Sequence, residues 1–213
     1  MSGGSGIAPA IAIDAVGAQV FIPQYDGVHA YHLNGAYLGD TNLGGAGLCS
    51  GPVAAHTRPN SNPPIIDVTC IGTDGNAYLT YLSNGSYGAW NLVGSPPVGI
   101  RAGSAPAVVS TDATAIQLVV VGNDGSAWLN TGAWSLGYWL GWMSLGGTNF
   151  QSVAVASYAP TRIDVVAIDS NNGFYHRGYD GDWWPAWQKL VSTWSTSVPP
   201  FAASYPGHLG HRH

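Results

Sequence analysis

Leu118-Val119-Val120-Val121-Gly122-Asn123-Asp124-Gly125-Ser126-Ala127-Trp128 sets a β-branched run, a tight turn and an aromatic in immediate succession. Asp-Gly supplies the positive φ angles that a short hairpin needs, so the residues on either side read as two paired strands. Further on, Trp142-Met143-Ser144-Leu145-Gly146-Gly147 adds another strand and a glycine stop. The turn recurs at Asp26-Gly27, Asp74-Gly75 and Asn172-Gly173, at intervals of 48 to 50 residues. An aromatic follows each one: Tyr31, Tyr78, then Phe174 and Tyr175. A closing signal follows in turn at Leu43-Gly44-Gly45, Leu92-Val93-Gly94 and Leu190-Val191-Ser192.

Repeats of short strands at about 40–50 residues predict an all-β propeller built from four-stranded antiparallel blades. About four complete repeats are expected within a single domain over 7–207, with blades at 7–45, 48–94, 101–147 and 149–192. Small-residue opening strands, such as Pro52-Val53-Ala54-Ala55 and Val153-Ala154-Val155-Ala156, suit inner strands crowded round a central channel. Second strands begin with a recurrent polar residue, at Gln19, Asp67, Gln117 and Asp164. Its recurrence predicts a buried or half-buried hydrogen bond tying neighbouring blades, since an unpaired buried carboxylate is costly. Fourth strands carry Trp90, Trp142 and Trp187, whereas unit one has Asp40 there, as a terminal repeat would. Helix is expected to be almost absent, because no capped 3.6-residue period occurs. Residues 198–205 match the opening strand of a fifth blade. Such a strand must pair, either closing the ring or joining a second copy in a homo-oligomer. Residues 1–6 read as a flexible leader and 208–213 as a tail, and no secretion signal is seen.

Composition narrows the function classes. The chain is 46% hydrophobic and 8% charged, with 30 Gly and 14 Pro, yet no apolar run approaches the roughly 20 residues of a spanning helix. Net charge is −5, and the six cations are scattered, so nucleic acid is not an expected partner. Every one of the 11 acids is Asp, which favours turns. Cys49 and Cys70 can pair, but Cys70 sits in an apolar strand and reads as a small buried hydrophobe.

Catalysis is not expected. Glycoside hydrolysis needs two flanking carboxylates, and Asp40, Asp112, Asp180 and Asp182 stand in no catalytic phrase. The turns do not match the sialidase Asp-box, and a Gly-x-Ser-x-Gly elbow is missing. No metal is expected either: His29 and His32 would face opposite sides of a strand, and Asp180-Gly181-Asp182 is a fragment of a calcium loop. No cofactor is implied.

The phrase from Leu118 to Gly147 resembles the blades of bacterial propeller lectins of the Photorhabdus type, which bind fucose and related sugars. The resemblance extends over residues 7–192. It implies glycan partners and shallow sites in the clefts between blades, although such lectins are seven-bladed single chains. Composition independently favours sugar binding: 9 Trp and 11 Tyr stand against 4 Phe. Trp and Tyr combine a flat apolar face with a polar edge, which suits the C–H face and hydroxyls of a sugar.

The resemblance carries over the post-turn aromatics Tyr78, Trp128 and Tyr175 and the closing Trp90, Trp142 and Trp187. The last three weigh toward inter-blade packing; Trp139 and Trp184, which the repeat does not demand, weigh toward a ligand. Trp183 and Trp184 must face opposite sides, leaving one exposed. His176 and Arg177 are hydroxyl partners or ordinary surface residues. The competing reading is a non-catalytic scaffold for protein partners, or a module of a larger surface or toxin protein.

Overall fold

The computed structural model describes residues 10–13, 18–24, 26–33, 37–133 and 137–191. These residues form four antiparallel sheets in chain order and no helix. Blade 1 holds β1 (Ala10–Ile13), β2 (Ala18–Gln24), β3 (Gly27–Leu33) and β4 (Tyr37–Gly45). Blade 2 holds β5 (Cys49–Thr57), β6 (Ile66–Gly72) and β7 (Ala77–Ser83). Its outer strand is broken in two, β8 (Ser86–Tyr87) and β9 (Asn91–Gly94), both paired to β7. Blade 3 runs through β10 (Ala107–Val109), β11 (Ala115–Val121), β12 (Ala127–Ala133) and β13 (Tyr138–Gly146). Blade 4 is β14 (Phe150–Ala159), β15 (Arg162–Asp169), β16 (Phe174–Asp180) and β17 (Gln188–Val191).

Each blade meets the next through its innermost strand. β5 lies on β1 and β2, β10 on β5 and β6, and β14 on β10 and β11. The sheets therefore stack face to face around an axis as propeller blades, and blades 2 and 3 are covered on both sides. That explains the unbroken apolar run: Leu118 and Val120 point to blade 2, Val119 and Val121 to blade 4, and all four are fully buried. Each junction has its own apolar cluster. Phe21 and Val28 meet Val53 and Val68 between blades 1 and 2; Leu79 and Val93 meet Ile116 and Leu118 between 2 and 3; Val119 and Leu145 meet Phe150 and Val165 between 3 and 4.

The hairpin turns hold left-handed residues at Gly75 (φ +79°) and Gly125 (φ +74°). Blade 4 keeps the same turn length, Asp169 N–H donating to Gly173 O as Gly72 N–H does to Asn76 O. Asn172 there takes the left-handed position that glycine holds in blades 2 and 3, at φ +59°, one residue before the expected Gly173. The turns also bind the chain between blades. Thr73 N–H donates to Leu48 O, Asn123 N–H to Gly99 O and Ser170 N–H to Asn149 O, at one register in three blades.

The expected inter-blade role of the recurrent polar residue is met unevenly. Gln19 Oε1 accepts from Tyr87 Oη of blade 2 at 2.7 Å. Asp67 binds Arg58, whose Nη1 reaches Ala113 O of blade 3 at 3.4 Å. Gln117 Oε1 is buried with no hydrogen-bond partner among the described residues, and Asp164 is bonded within its own blade.

The reading of Cys70 as an isolated buried hydrophobe is corrected: it is fully buried and disulfide-bonded to Cys49, with Cα atoms 5.7 Å apart. An irregularity in the β5–β6 register between Cys49 and Val53 brings Cys49 within reach, and a sequence does not display such a shift. The leader, the segment 198–205 and the tail lie outside the described residues. Among those described, no helix is long and apolar enough to cross a membrane.

Candidate functional site

Nine of the ten side chains singled out from the sequence have their place set by one of the blade junctions or by the outer face of blade 4, and the tenth is Arg177, which reaches across a junction. Tyr78 and Trp90 pack between blades 1 and 2, Trp128, Trp139 and Trp142 between blades 2 and 3, and Tyr175 and Trp187 between blades 3 and 4. His176 and Trp184 lie on the face of blade 4 turned away from blade 3, the face that carries Asp164.

The post-turn aromatics have their polar edges occupied. Asp74 Oδ2 accepts from Tyr78 Oη at 2.8 Å, Asp124 Oδ1 from Trp128 Nε1 at 3.3 Å, and Asp169 Oδ2 from Tyr175 Oη at 3.1 Å. Those carboxylates also cap their turns, accepting from the backbone N–H groups of Asn76, Ser126 and Asn171. Donors around Asp74 hold its carboxyl below the usual carboxylate range. The closing tryptophans stitch blades together: Trp90 Nε1 donates to Leu43 O at 3.1 Å and Trp187 Nε1 to Leu145 O at 2.8 Å. Trp142 breaks this series, its Nε1 buried without a hydrogen-bond partner among the described residues. Trp139 packs beside Gly132, where a Cβ would come within 3.2 Å of the indole.

Blade 4 brings together a different constellation. Arg162, Asp164 and Val166 alternate onto its outer face, joined across the strand pair by His176, Gly178 and Asp180. Arg162 grips Asp164 through two hydrogen bonds, Nε to Oδ2 at 2.9 Å and Nη2 to Oδ1 at 2.6 Å. His176 Nε2 lies 2.8 Å from the same Oδ1. Trp184 completes the group: the Arg162 guanidinium stands 4.9 Å from its ring centroid, and the His176 ring meets it edge-on at 5.0 Å. Trp184 lies across Gly178, whose missing side chain leaves the space; a Cβ there would meet Trp184 Cε2 at 2.9 Å and Arg162 Nη2 at 3.1 Å. The side chains of Arg162, Asp164 and His176 are 15%, 22% and 18% exposed, so the group is sheltered yet open. Partial burial works to raise the Asp164 pKa, but hydrogen bonds from Arg162 and His176 outweigh it and hold the carboxyl below its ordinary value.

Trp183 and Trp184 do face opposite ways, though both are half-buried. Trp183 packs with Tyr179 at 5.3 Å on the side of blade 3, where Gln117 turns toward blade 4. Arg162, Asp164, Tyr179 and Trp183 were not among the residues picked from the sequence for this site. Asp164 was visible as the recurrent polar position, and Arg162 precedes it by the two residues that put both on one face. Among the described residues no group of three or more His, Cys or Asp side chains is arranged to hold a metal ion.

No protein-family model matches the chain, and no curated relative matches it. Solved structures share its fold. The BP39L lectin from Burkholderia pseudomallei aligns with a TM-score of 0.67 and 21% identity, over 88% of this chain and 56% of that one. A fungal lectin from Aleuria aurantia, described as a six-bladed β-propeller with a novel fucose recognition mode, aligns with a TM-score of 0.64 and 17% identity, over 85% and 61%. The SapL1 lectin, solved in complex with α-methyl fucoside, aligns with a TM-score of 0.60 and 16% identity, over 87% and 63%. This chain thus spans 56 to 63% of the length of these three proteins. At such identities the likeness shows the β-propeller fold.

Proposed function

We propose that this chain is a non-catalytic, carbohydrate-binding propeller that takes fucose-type sugars against aromatic walls on and between its blades. One observation carries the reading: the Arg162–Asp164–His176 network stands beside the Trp184 indole in a half-open setting. A pyranose offers hydroxyls that both donate and accept, and a C–H face that lies on an aromatic ring. Arg162 and His176 supply donors, Asp164 supplies acceptors, and Trp184 supplies the apolar wall. Lectins of the same fold support the choice of sugar, since SapL1 was solved with a fucoside and the Aleuria lectin is described by its fucose recognition.

The junction of blades 3 and 4 is the second place we assign, with Gln117 on one wall and Tyr179 and Trp183 on the other. Tyr175 and Trp187 shape that same junction by packing, and Tyr78, Trp90, Trp128, Trp139 and Trp142 line the clefts between blades 1 and 2 and between blades 2 and 3. Several weak sites on one rigid arc would bind a glycan-coated surface by avidity. A homo-oligomer formed through 198–205 would multiply the sites, and native mass decides that part.

The test is calorimetric titration with methyl α-fucoside, galactoside, mannoside and glucoside. The fucoside should bind best. Asp164→Asn and Trp184→Ala should each weaken it by about tenfold or more, the worth of one hydrogen bond to a charged group or one stacked ring, without altering the circular dichroism. Silence across the panel from folded wild-type protein would leave the scaffold reading in its place.

A further inference from the structure

Arg177 sits on β16 opposite Val165, a fully buried member of the core between blades 3 and 4, so its side chain leaves the strand toward blade 3. Its Nε donates to Trp184 O at 2.8 Å, and its Nη1 donates to Leu145 O. Leu145 O is the carbonyl that also receives Trp187 Nε1, at 2.8 Å. The guanidinium carbon lies 5.9 Å from the Trp183 ring. No carboxylate pairs with Arg177 among the described residues. Burial pulls its pKa below the ordinary arginine value.

This half-buried cation commits two of its five N–H donors to backbone carbonyls, one in each of two adjoining blades. Its fork joins the closing signal of blade 3 to the 181–187 segment of blade 4, and only a planar, multi-donor head reaches both. The far side of that segment is where Trp184 meets Arg162 and His176. The Trp184 backbone is held from both directions, its N–H donating to Gly178 O at 2.9 Å and its carbonyl accepting from Arg177.

We propose that Arg177 is a positioning residue: acting from the blade 3 side of the sheet, it holds the Trp184 backbone so that the indole stands over Arg162 and His176 on the opposite face. The inference rests on the sugar-binding reading of that face for its consequence, but not for its geometry. It also ties the junction of blades 3 and 4 to the outer face, so that a disturbance of one is felt by the other.

The experiment compares wild type, Arg177→Met and Arg177→Lys by the indole 15N–1H resonance of Trp184, assigned through its loss in Trp184→Phe, and by fucoside titration. Arg177→Met should shift or broaden the Trp184 resonance and weaken fucoside at least tenfold. Arg177→Lys, which keeps the charge and a donor nitrogen but not the planar fork, should recover part of both. A Trp184 resonance unmoved in folded Arg177→Met overturns the proposal. If sugar binding is nevertheless lost with that resonance unmoved, Arg177 is a direct ligand instead. Should Arg177→Met not fold, Arg177→Ala makes the comparison, and a wild-type Trp184 resonance in it overturns the proposal equally. If wild type binds no sugar, the lectin reading fails while the resonance still decides the positioning role.

Discussion

Arg58 and Asp67 meet in two hydrogen bonds, Nε to Oδ2 and Nη2 to Oδ1, each 2.7 Å long, with both side chains wholly shielded from solvent. The same residue types stand on blade 4 as Arg162 and Asp164, where they remain 15% and 22% exposed. One pair is sealed into a blade junction and bonded onward to Ala113 O; the other lies open beside an indole. A buried ion pair contributes little net stability, but breaking one leaves a stranded charge. Arg58→Met or Asp67→Leu should therefore each cost about 3–5 kcal/mol in urea unfolding, and the double variant should cost much less than the sum. Additive losses would show that the two do not act as a pair.

His56 adds a pH dependence to the same junction. Burial pulls its imidazole down to about 4, Ser110's backbone works the other way, and the Arg58 charge lowers it further. The unfolded chain, with an ordinary histidine near 6.5, binds the proton first as pH falls. Stability from neutral His56 is complete above about pH 6.5 and is lost progressively toward pH 4, roughly 3 kcal/mol in all. Asp67 opposite it has the contrary sign, because burial raises its pKa against the pull of Arg58. The His56→Leu variant isolates the histidine: its unfolding free energy should fall less than wild type between pH 7 and 4, and parallel pH curves would refute the assignment.

The closing tryptophans offer a matched set. Trp90 and Trp187 donate across their junctions, whereas Trp142 Nε1 is buried without a hydrogen-bond partner among the described residues. Trp→Phe removes the N–H while keeping a ring. It should cost about 1–2 kcal/mol at 90 and 187, and nothing or a slight gain beyond the lost ring area at 142. Thermal unfolding of the three variants gives the order directly; equal losses would mean that Trp142 has a partner in solution.

Gly178 tests the outer face without replacing any of the side chains assigned to it. Its φ is not left-handed, so alanine is tolerated by the backbone, but a Cβ would meet Trp184 at 2.9 Å. Gly178→Ala should displace the indole and weaken fucoside by about tenfold, with a stability cost of only 1–3 kcal/mol. Unchanged affinity in the folded variant would place the sugar elsewhere.

Cys49–Cys70 closes a loop with a sequence separation of 21. Replacing both with alanine should lower unfolding free energy by about 3 kcal/mol through the freer unfolded chain. Fucoside affinity should not change, because the disulfide lies in blade 2 and the outer-face cluster in blade 4.

The fold was legible because each blade repeats one local instruction. The Asp-Gly turns at 74 and 124 need no distant residue to take a positive φ, and the Leu118–Val121 run already says that both faces of its sheet are covered. The closing tryptophans could be assigned to packing on the same ground, since one large ring per blade fits one wedge-shaped gap. Aromatic-rich residues 175–187 marked blade 4 as unusual, and His176 and Trp184 could be picked from it.

What surrounds each side chain was settled only by the neighbouring blade. Arg58 and Arg162 look alike in the chain, yet one is sealed by blade 3 and the other stays open, because burial depends on what stacks over a strand and not on the strand itself. Arg177 and His176 are adjacent letters that leave the sheet on opposite sides, so one reaches a carbonyl of blade 3 and the other joins Asp164. Cys49 meets Cys70 through a shift in strand register. Order along the chain determined the blades, their turns and their apolar faces, all of which follow from contacts between near neighbours. Which polar groups met, and which were left uncovered, was decided by register and stacking between sheets, where a displacement of one residue exchanges every partner.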